Sequence, residues 1–182
     1  MTTECPILFG IFEGFSWIRC EGKGSFLNSP ALKDFGVSRI NAGEMCLVID
    51  LEACTGMDST FMGTLAGMAA RLSVRDGGQI QVADAGPRNR RSLEDLGLDF
   101  LLDIEPKEAI WQNQVSTIRA ALKPLQPLAL PGQVQQTMHV LEAHQTLAEA
   151  NEKNTKVFAN VVSLLEAELA EKQKRGETPK DQ

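Results

Sequence analysis

Met45-Cys46-Leu47-Val48-Ile49-Asp50-Leu51, then Glu52-Ala53-Cys54-Thr55-Gly56-Met57-Asp58, then Ser59-Thr60-Phe61-Met62-Gly63, is the stretch whose reading decides the fold. Its first part is almost continuously apolar up to Asp50. That pattern predicts a strand covered on both faces, a central strand with helices nearby. After a short acidic-ended loop, Phe61, Leu65, Met68, Ala69 and Leu72 recur at helical spacing and predict one helix with a stripe for the sheet.

Outward from this unit the same alternation continues. Asp76-Gly77-Gly78 ends the helix, residues 79–83 read as a strand, and Pro87 opens a helix that closes at Gly97. A last short strand is expected at 100–104. Toward the N-terminus, apolar runs at 7–12 and 15–20 flank Glu13-Gly14 and predict a hairpin. Ser29-Pro30 predicts a helix start with Ser29 as N-cap, and the helix to Ile40 would bury Leu32, Phe35, Val37 and Ile40. Strands and helices in this order predict an α/β fold, a mixed β-sheet with helices packed on it, through about residue 105.

The remainder differs in texture. Residues 107–122 predict a further helix with Ile110, Val115, Ile118 and Leu122 inward, closing a domain of residues 1–122. Pro124, Pro127 and Pro131 make 123–132 an extended, proline-rich linker. Residues 133–182 read as an amphipathic helical extension, with helices over 133–150 and 154–174. The second carries the stripe Phe158, Val161, Val162, Leu165 and Leu169. Helices of this length are marginal in water, so the stripe must pack on its own domain or on a second copy, as a homodimer.

Several function classes lose support at once. The 182-residue chain has a net charge of −6, which disfavours the phosphate contacts of non-specific nucleic-acid binding. Arg88, Arg90 and Arg91 read as a solvated helix start beside Glu94 and Asp95. The absence of a long apolar run and of a signal-peptide pattern predicts a cytoplasmic protein without membrane insertion. Cys5, Cys20, Cys46 and Cys54 are too far apart for a CxxC motif and read as free thiols. No glycine-rich nucleotide loop occurs. His139 and His144 are five apart on a helix with no third ligand, outside the core domain, so neither a metal site nor a base for Ser59 is expected. No cofactor is expected, and Trp17 and Trp111 read as packing residues.

The chemistry concentrates at 50–63. A strand ends in Asp50, and a loop delivers Asp58, Ser59 and Thr60 to the start of the strongest helix. A hydroxyl there lies near unpaired backbone N–H groups and the positive end of the helix dipole, where phosphate is tolerated. Asp58 or Ser59 acting simply as an N-cap is the plain alternative.

This segment resembles the STAS domain family, typified by bacterial anti-sigma factor antagonists. Asp50-Leu51, Met57-Asp58-Ser59-Thr60, Met62 and Gly63 match its signature. Gly24-Ser25-Phe26-Leu27-Asn28, and Leu93 with Leu96-Gly97-Leu98, are weaker matches. The resemblance spans about residues 7–105. It implies a non-enzymatic antagonist in a phosphorylation-controlled partner-switching pathway, which regulates transcription by binding an anti-sigma factor serine kinase and is reset by a phosphatase. It assigns the phosphate to Ser59, with Thr60 second. It places Asp58, Ser59, Thr60, Phe61 and Met62 in the partner-binding surface and gives Asp50 a loop-supporting role. Phe61 stands where the family has glycine, either covering part of that surface or anchoring the helix in the core. Two other readings remain at this point: a STAS scaffold or oligomer subunit, and a ligand-binding module of a transport system.

Overall fold

The computed structural model describes residues 6–126 and 131–177. Strands β1 (Ile7–Phe12) and β2 (Phe15–Cys20) form the expected antiparallel hairpin, with Phe12 opposite Phe15 and Gly14 at a positive φ that suits glycine in the turn. There follow β3 (Gly22–Gly24), α1 (Ser29–Asn41), β4 (Cys46–Asp50), β5 (Cys54–Met57), α2 (Ser59–Ser73), β6 (Gln79–Ala83) and α3 (Gly86–Asp95). After a 3₁₀ turn come β7 (Asp103–Ile104), α4 (Val115–Ala121), β8 (Lys123–Pro124), α5 (Gln133–Ala150) and α6 (Glu152–Glu177). Six strands form one mixed sheet in the order β7-β6-β4-β2-β1-β8, and β3 and β5 pair separately.

Strand β4 runs parallel to both its neighbours, β2 and β6, and is buried throughout. Alternation along it divides the core. Leu47 and Ile49 join Ile18 and the helix residues Leu32, Ile40, Leu65, Met68 and Leu72 on one face. Val48 joins Trp17, Ala83, Trp111 and Ile118 on the other. The two tryptophans meet edge to face at 5.2 Å, as packing residues. Cys20, Cys46 and Cys54 are buried; Cys5 lies outside the described residues.

Some expectations need correcting. Ser29 is not the N-cap of α1. Asn28 is, and its side-chain oxygen accepts the Ser25 N–H, which frees the Ser29 hydroxyl for another contact. Only residues 115–121 of the expected 107–122 helix are α-helical. Glu105 takes a positive φ, and turns carry Trp111 under the sheet, where its Nε1 donates to Gln81 at 2.7 Å; Ile110 is left exposed. The last strand is shorter than expected because Leu98–Phe100 forms the 3₁₀ turn. Lys123 and Pro124 add an edge strand beside Leu8 and Phe9, whereas Pro127 lies outside the described residues. Strands β3 and β5, three and four residues long, have no counterpart in the sequence pattern.

Helices α5 and α6 form a hairpin that packs on its own chain. Phe158 and Val162 reach the main core, while Val161 is turned to solvent. Among the described residues no helix is long and apolar enough to cross a membrane.

The C-terminal end of β4 is organised by one buried carboxylate. Asp50 is 0 % exposed and accepts from Trp17 Nε1 at 3.1 Å, Arg19 Nη1 at 2.9 Å, Arg119 Nε at 2.9 Å and Nη2 at 3.0 Å, and the Glu52 amide at 3.1 Å. Burial alone would raise its pKa, but the hydrogen bonds from Arg119 and then Arg19 outweigh it and hold the carboxyl below its ordinary range. A depressed folded-state pKa contributes stability above the unfolded value, about 3.9, that is lost as pH falls through the folded one. Asp50→Asn removes the buried anion that Arg19 and Arg119 share, leaving them only their more exposed partners Glu21, Glu52 and Asp84. Urea denaturation at pH 7 should show a loss of about 3 kcal/mol or more, and the acid-side decline should be shallower in the variant.

Candidate functional site

Strand β5 pairs with β3, which brings the 24–28 loop against the start of α2. Asp58 fastens the junction. Its amide donates to the Gly24 carbonyl at 2.9 Å, its Oδ1 accepts the Phe61 N–H at 2.8 Å, and its Oδ2 accepts the Phe26 N–H at 2.9 Å. With extended backbone and this side-chain bond it is the N-cap of α2. The loop so held presents Phe26 and Leu27, 50 % and 73 % exposed, beside the helix start. Sequence reasoning had not singled them out as site residues.

Ser59 is the first residue of α2 and half-buried. Its Oγ lies 2.8 Å from Nε2 of His144, while Nδ1 of the same ring lies 2.7 Å from the Val140 carbonyl. A carbonyl only accepts, so Nδ1 carries the proton, and in the neutral ring Nε2 accepts the Ser59 hydroxyl. Phe158 meets the imidazole edge on, at 5.6 Å. This corrects the expectation that neither histidine reaches the core domain. The contact joins residues far apart in sequence, and the available signal was His144 lying midway between Leu141 and Leu147 on the apolar side of α5.

The next three residues turn inward. Thr60, Phe61 and Met62 are 4 %, 0 % and 8 % exposed. A Cβ on Gly24 would come within 2.8 Å of the Phe61 ring, so the ring fills the space beneath that glycine. Phe61 is thus placed as an anchor of the helix. In this arrangement Asp58 and Ser59 are half-buried, with the Ser59 hydroxyl against His144, and Thr60, Phe61 and Met62 offer little surface to a partner. Asp50 supports the loop through one amide, that of Glu52, and spends its other bonds on the side chains described above.

His139 Nε2 lies 2.8 Å from the Ser29 hydroxyl on α1, and Lys33 pairs with Glu142 at 2.5 Å. Burial first, and the Lys33 charge second, lower the His139 pKa below its ordinary value. Arg90 pairs with Glu94 and Glu105 on the surface of α3.

The family model described as "STAS domain" matches residues 10–109, more than half of the chain, and the chain belongs to this family. Among solved structures, it is similar to an anti-sigma factor antagonist from Mycobacterium paratuberculosis at 23% identity and a TM-score of 0.51. That match covers 65% of this chain and 97% of the other. It is also similar to a Thermotoga maritima protein provisionally described as an anti-sigma factor antagonist, at 17% identity and a TM-score of 0.51, over 64% and 96% of the two chains. At these identities the likeness is one of fold. A comparison with curated proteins gives no match.

Two outcomes follow. Phe61→Ala should lower stability by about 3–5 kcal/mol in urea titration, whereas a surface residue would give a change near zero. A histidine with a depressed folded pKa contributes stability above the unfolded value, about 6.5, that is lost as pH falls toward the folded one. Thermal denaturation between pH 8 and pH 5 should therefore show a decline that is shallower in His139→Gln.

Proposed function

We propose that this chain is a non-enzymatic anti-sigma factor antagonist of a partner-switching pathway, acting in the cytoplasm, with Ser59 as its regulatory phosphate acceptor. An anti-sigma factor serine kinase binds the unmodified form and phosphorylates it, and a phosphatase restores it. The observation that carries this reading is the placement of the Ser59 hydroxyl. It opens α2 directly after the Asp58 cap, near backbone N–H groups without helical partners, beside the exposed Phe26 and Leu27. Membership of the STAS family and the fold shared with a mycobacterial anti-sigma factor antagonist support it. Thr60, the second candidate, is buried and less accessible.

Physically the switch works through charge. Phosphate adds about −1.5 to −2 charges at pH 7. The helix N-terminus tolerates them in the free protein, but a partner interface that desolvates them without a counter-charge does not. His144 adds a feature specific to this chain: its ring holds the Ser59 hydroxyl in the unmodified protein.

The test uses the purified chain, radiolabelled ATP and each anti-sigma-type serine kinase encoded in the same genome. Label is expected on Ser59, absent in Ser59→Ala and retained in Thr60→Val. Ser59→Asp should unfold within about 1 kcal/mol of the parent yet bind the labelling kinase at least tenfold more weakly. Label confined to Thr60, or no label from any of these kinases on either the parent or Gly63→Ala, whose added methyl crowds α5 over Ser59, overturns the switch and favours a scaffold role.

A further inference from the structure

Helix α5 lies across the beginnings of α1 and α2 at the place where Ser59 emerges. Three polar contacts fasten it there: His144 to Ser59, His139 to Ser29, and Glu142 to Lys33. Beneath it, α2 presents Gly63 and Gly67 one turn apart. A Cβ on Gly63 would run into the Ala143 carbonyl oxygen, and one on Gly67 would sit 3.9 Å from the Thr146 hydroxyl. The α2 face is therefore shaped to receive a helix backbone at close range. In this chain α5 is the helix that occupies it.

The fastenings are unevenly distributed along α5. From His139 to His144 they include the polar contacts just named, each between groups that water can also satisfy, with Leu141 and Ala143 buried among them. Toward its end come the fully buried Leu147 and the α5–α6 corner. There Asn151 and Asn154 both donate to the Leu96 carbonyl, at 3.1 and 2.8 Å, and Phe158 enters the core. The corner is held by Leu147 and Phe158 in the main core and by two amides on one carbonyl, whereas over Ser59 the buried Leu141 and Ala143 lie outside that core and are joined by exchangeable polar bonds.

We propose that α5 and α6 form an intramolecular cover over the Ser59 face of α2, which lifts about the 151–154 corner to admit a kinase or partner. The inference rests on Ser59 being the regulated hydroxyl. With Ser59 Oγ 2.8 Å from His144 Nε2, a phosphoryl group on that oxygen in the same rotamer displaces the ring, so the phosphorylated and covered states compete. Linkage then runs both ways: whatever lifts the cover promotes modification, and modification keeps the cover open.

Gly63→Ala separates the cover from the fold. Alanine favours the α2 helix over glycine, while its methyl group pushes against the α5 backbone. In the full chain, Ser59→Cys supplies a reporter thiol, and its alkylation by N-ethylmaleimide is followed by peptide mass spectrometry, which distinguishes it from the native cysteines. Adding Gly63→Ala should speed alkylation at position 59 at least tenfold and hasten hydrogen exchange in α5, with β4 and β6 amides unchanged. If β4 and β6 also lose protection, Lys33→Glu is used in its place. It should speed alkylation about threefold, and Glu142→Lys added to it should restore the slow rate. Equal alkylation rates in the parent reporter and in the well-folded variants overturn the cover. No kinase enters this experiment, so its failure leaves Ser59 as a phosphate acceptor. Conversely, absence of label in the kinase experiment leaves the cover intact.

Discussion

A single carboxylate with no exposure to water sets the geometry of the functional end of this molecule. Asp50 closes the central strand, and it gathers guanidinium groups from β2 and α4, an indole from β2 and one amide of the following loop. A buried anion without partners is among the most costly groups a protein can hold, so these neighbours have little freedom to depart. Arg119 reaches Asp50 from α4 and bonds Asp84 as well, which links the far face of the sheet to the loop after β6. The path from β4 through β5 to Ser59 starts from this fixed point.

From there a chain of local constraints leads outward. The β3–β5 pairing positions Asp58, Asp58 caps α2 and ties down the 24–28 loop, and Phe61 fills the space beneath Gly24. Every step uses the interior to place one hydroxyl at the helix start, half-buried against His144. The aromatic side chain at position 61 is accommodated by burial, so it sets the packing below the helix start and leaves the Asp58 cap and the Ser59 hydroxyl free of it.

What was legible in the sequence was what hydrophobic periodicity records. The run at 45–51, the stripe from Phe61 to Leu72 and the hairpin about Glu13-Gly14 each identified an element because burial of one face or both demands that pattern. The small β3–β5 sheet left no such trace, since it consists of a few residues with glycine at both ends of β3. The 107–122 segment misled because Ile110 and Val115 fit a helical stripe, whereas the partner of Trp111, Gln81 on β6, lies outside any local window. The same limit applies at the site. Asp58 and Ser59 can be placed on the helix start from sequence alone, but the His144 contact is tertiary, and Ser29, a cap by its local pattern, yields that place to Asn28 and meets His139. Such pairings depend on where the appended hairpin lands, and periodicity carries no information on that.

The two-residue strand β8 acquires a meaning beyond edge protection. Lys123 and Pro124 are clipped to β1, and Pro124 cannot donate a further ladder bond. Eight residues of sequence, 125–132, then separate this clip from the start of α5. Any segment tethered so closely meets its own docking face at an effective concentration on the order of millimolar. An external helix competing for that face from solution faces the same rival at every encounter, whatever its own dilution. The edge strand thus sets a floor on the affinity that a competing partner needs, and lengthening the chain between β8 and α5 is the physical means of lowering it.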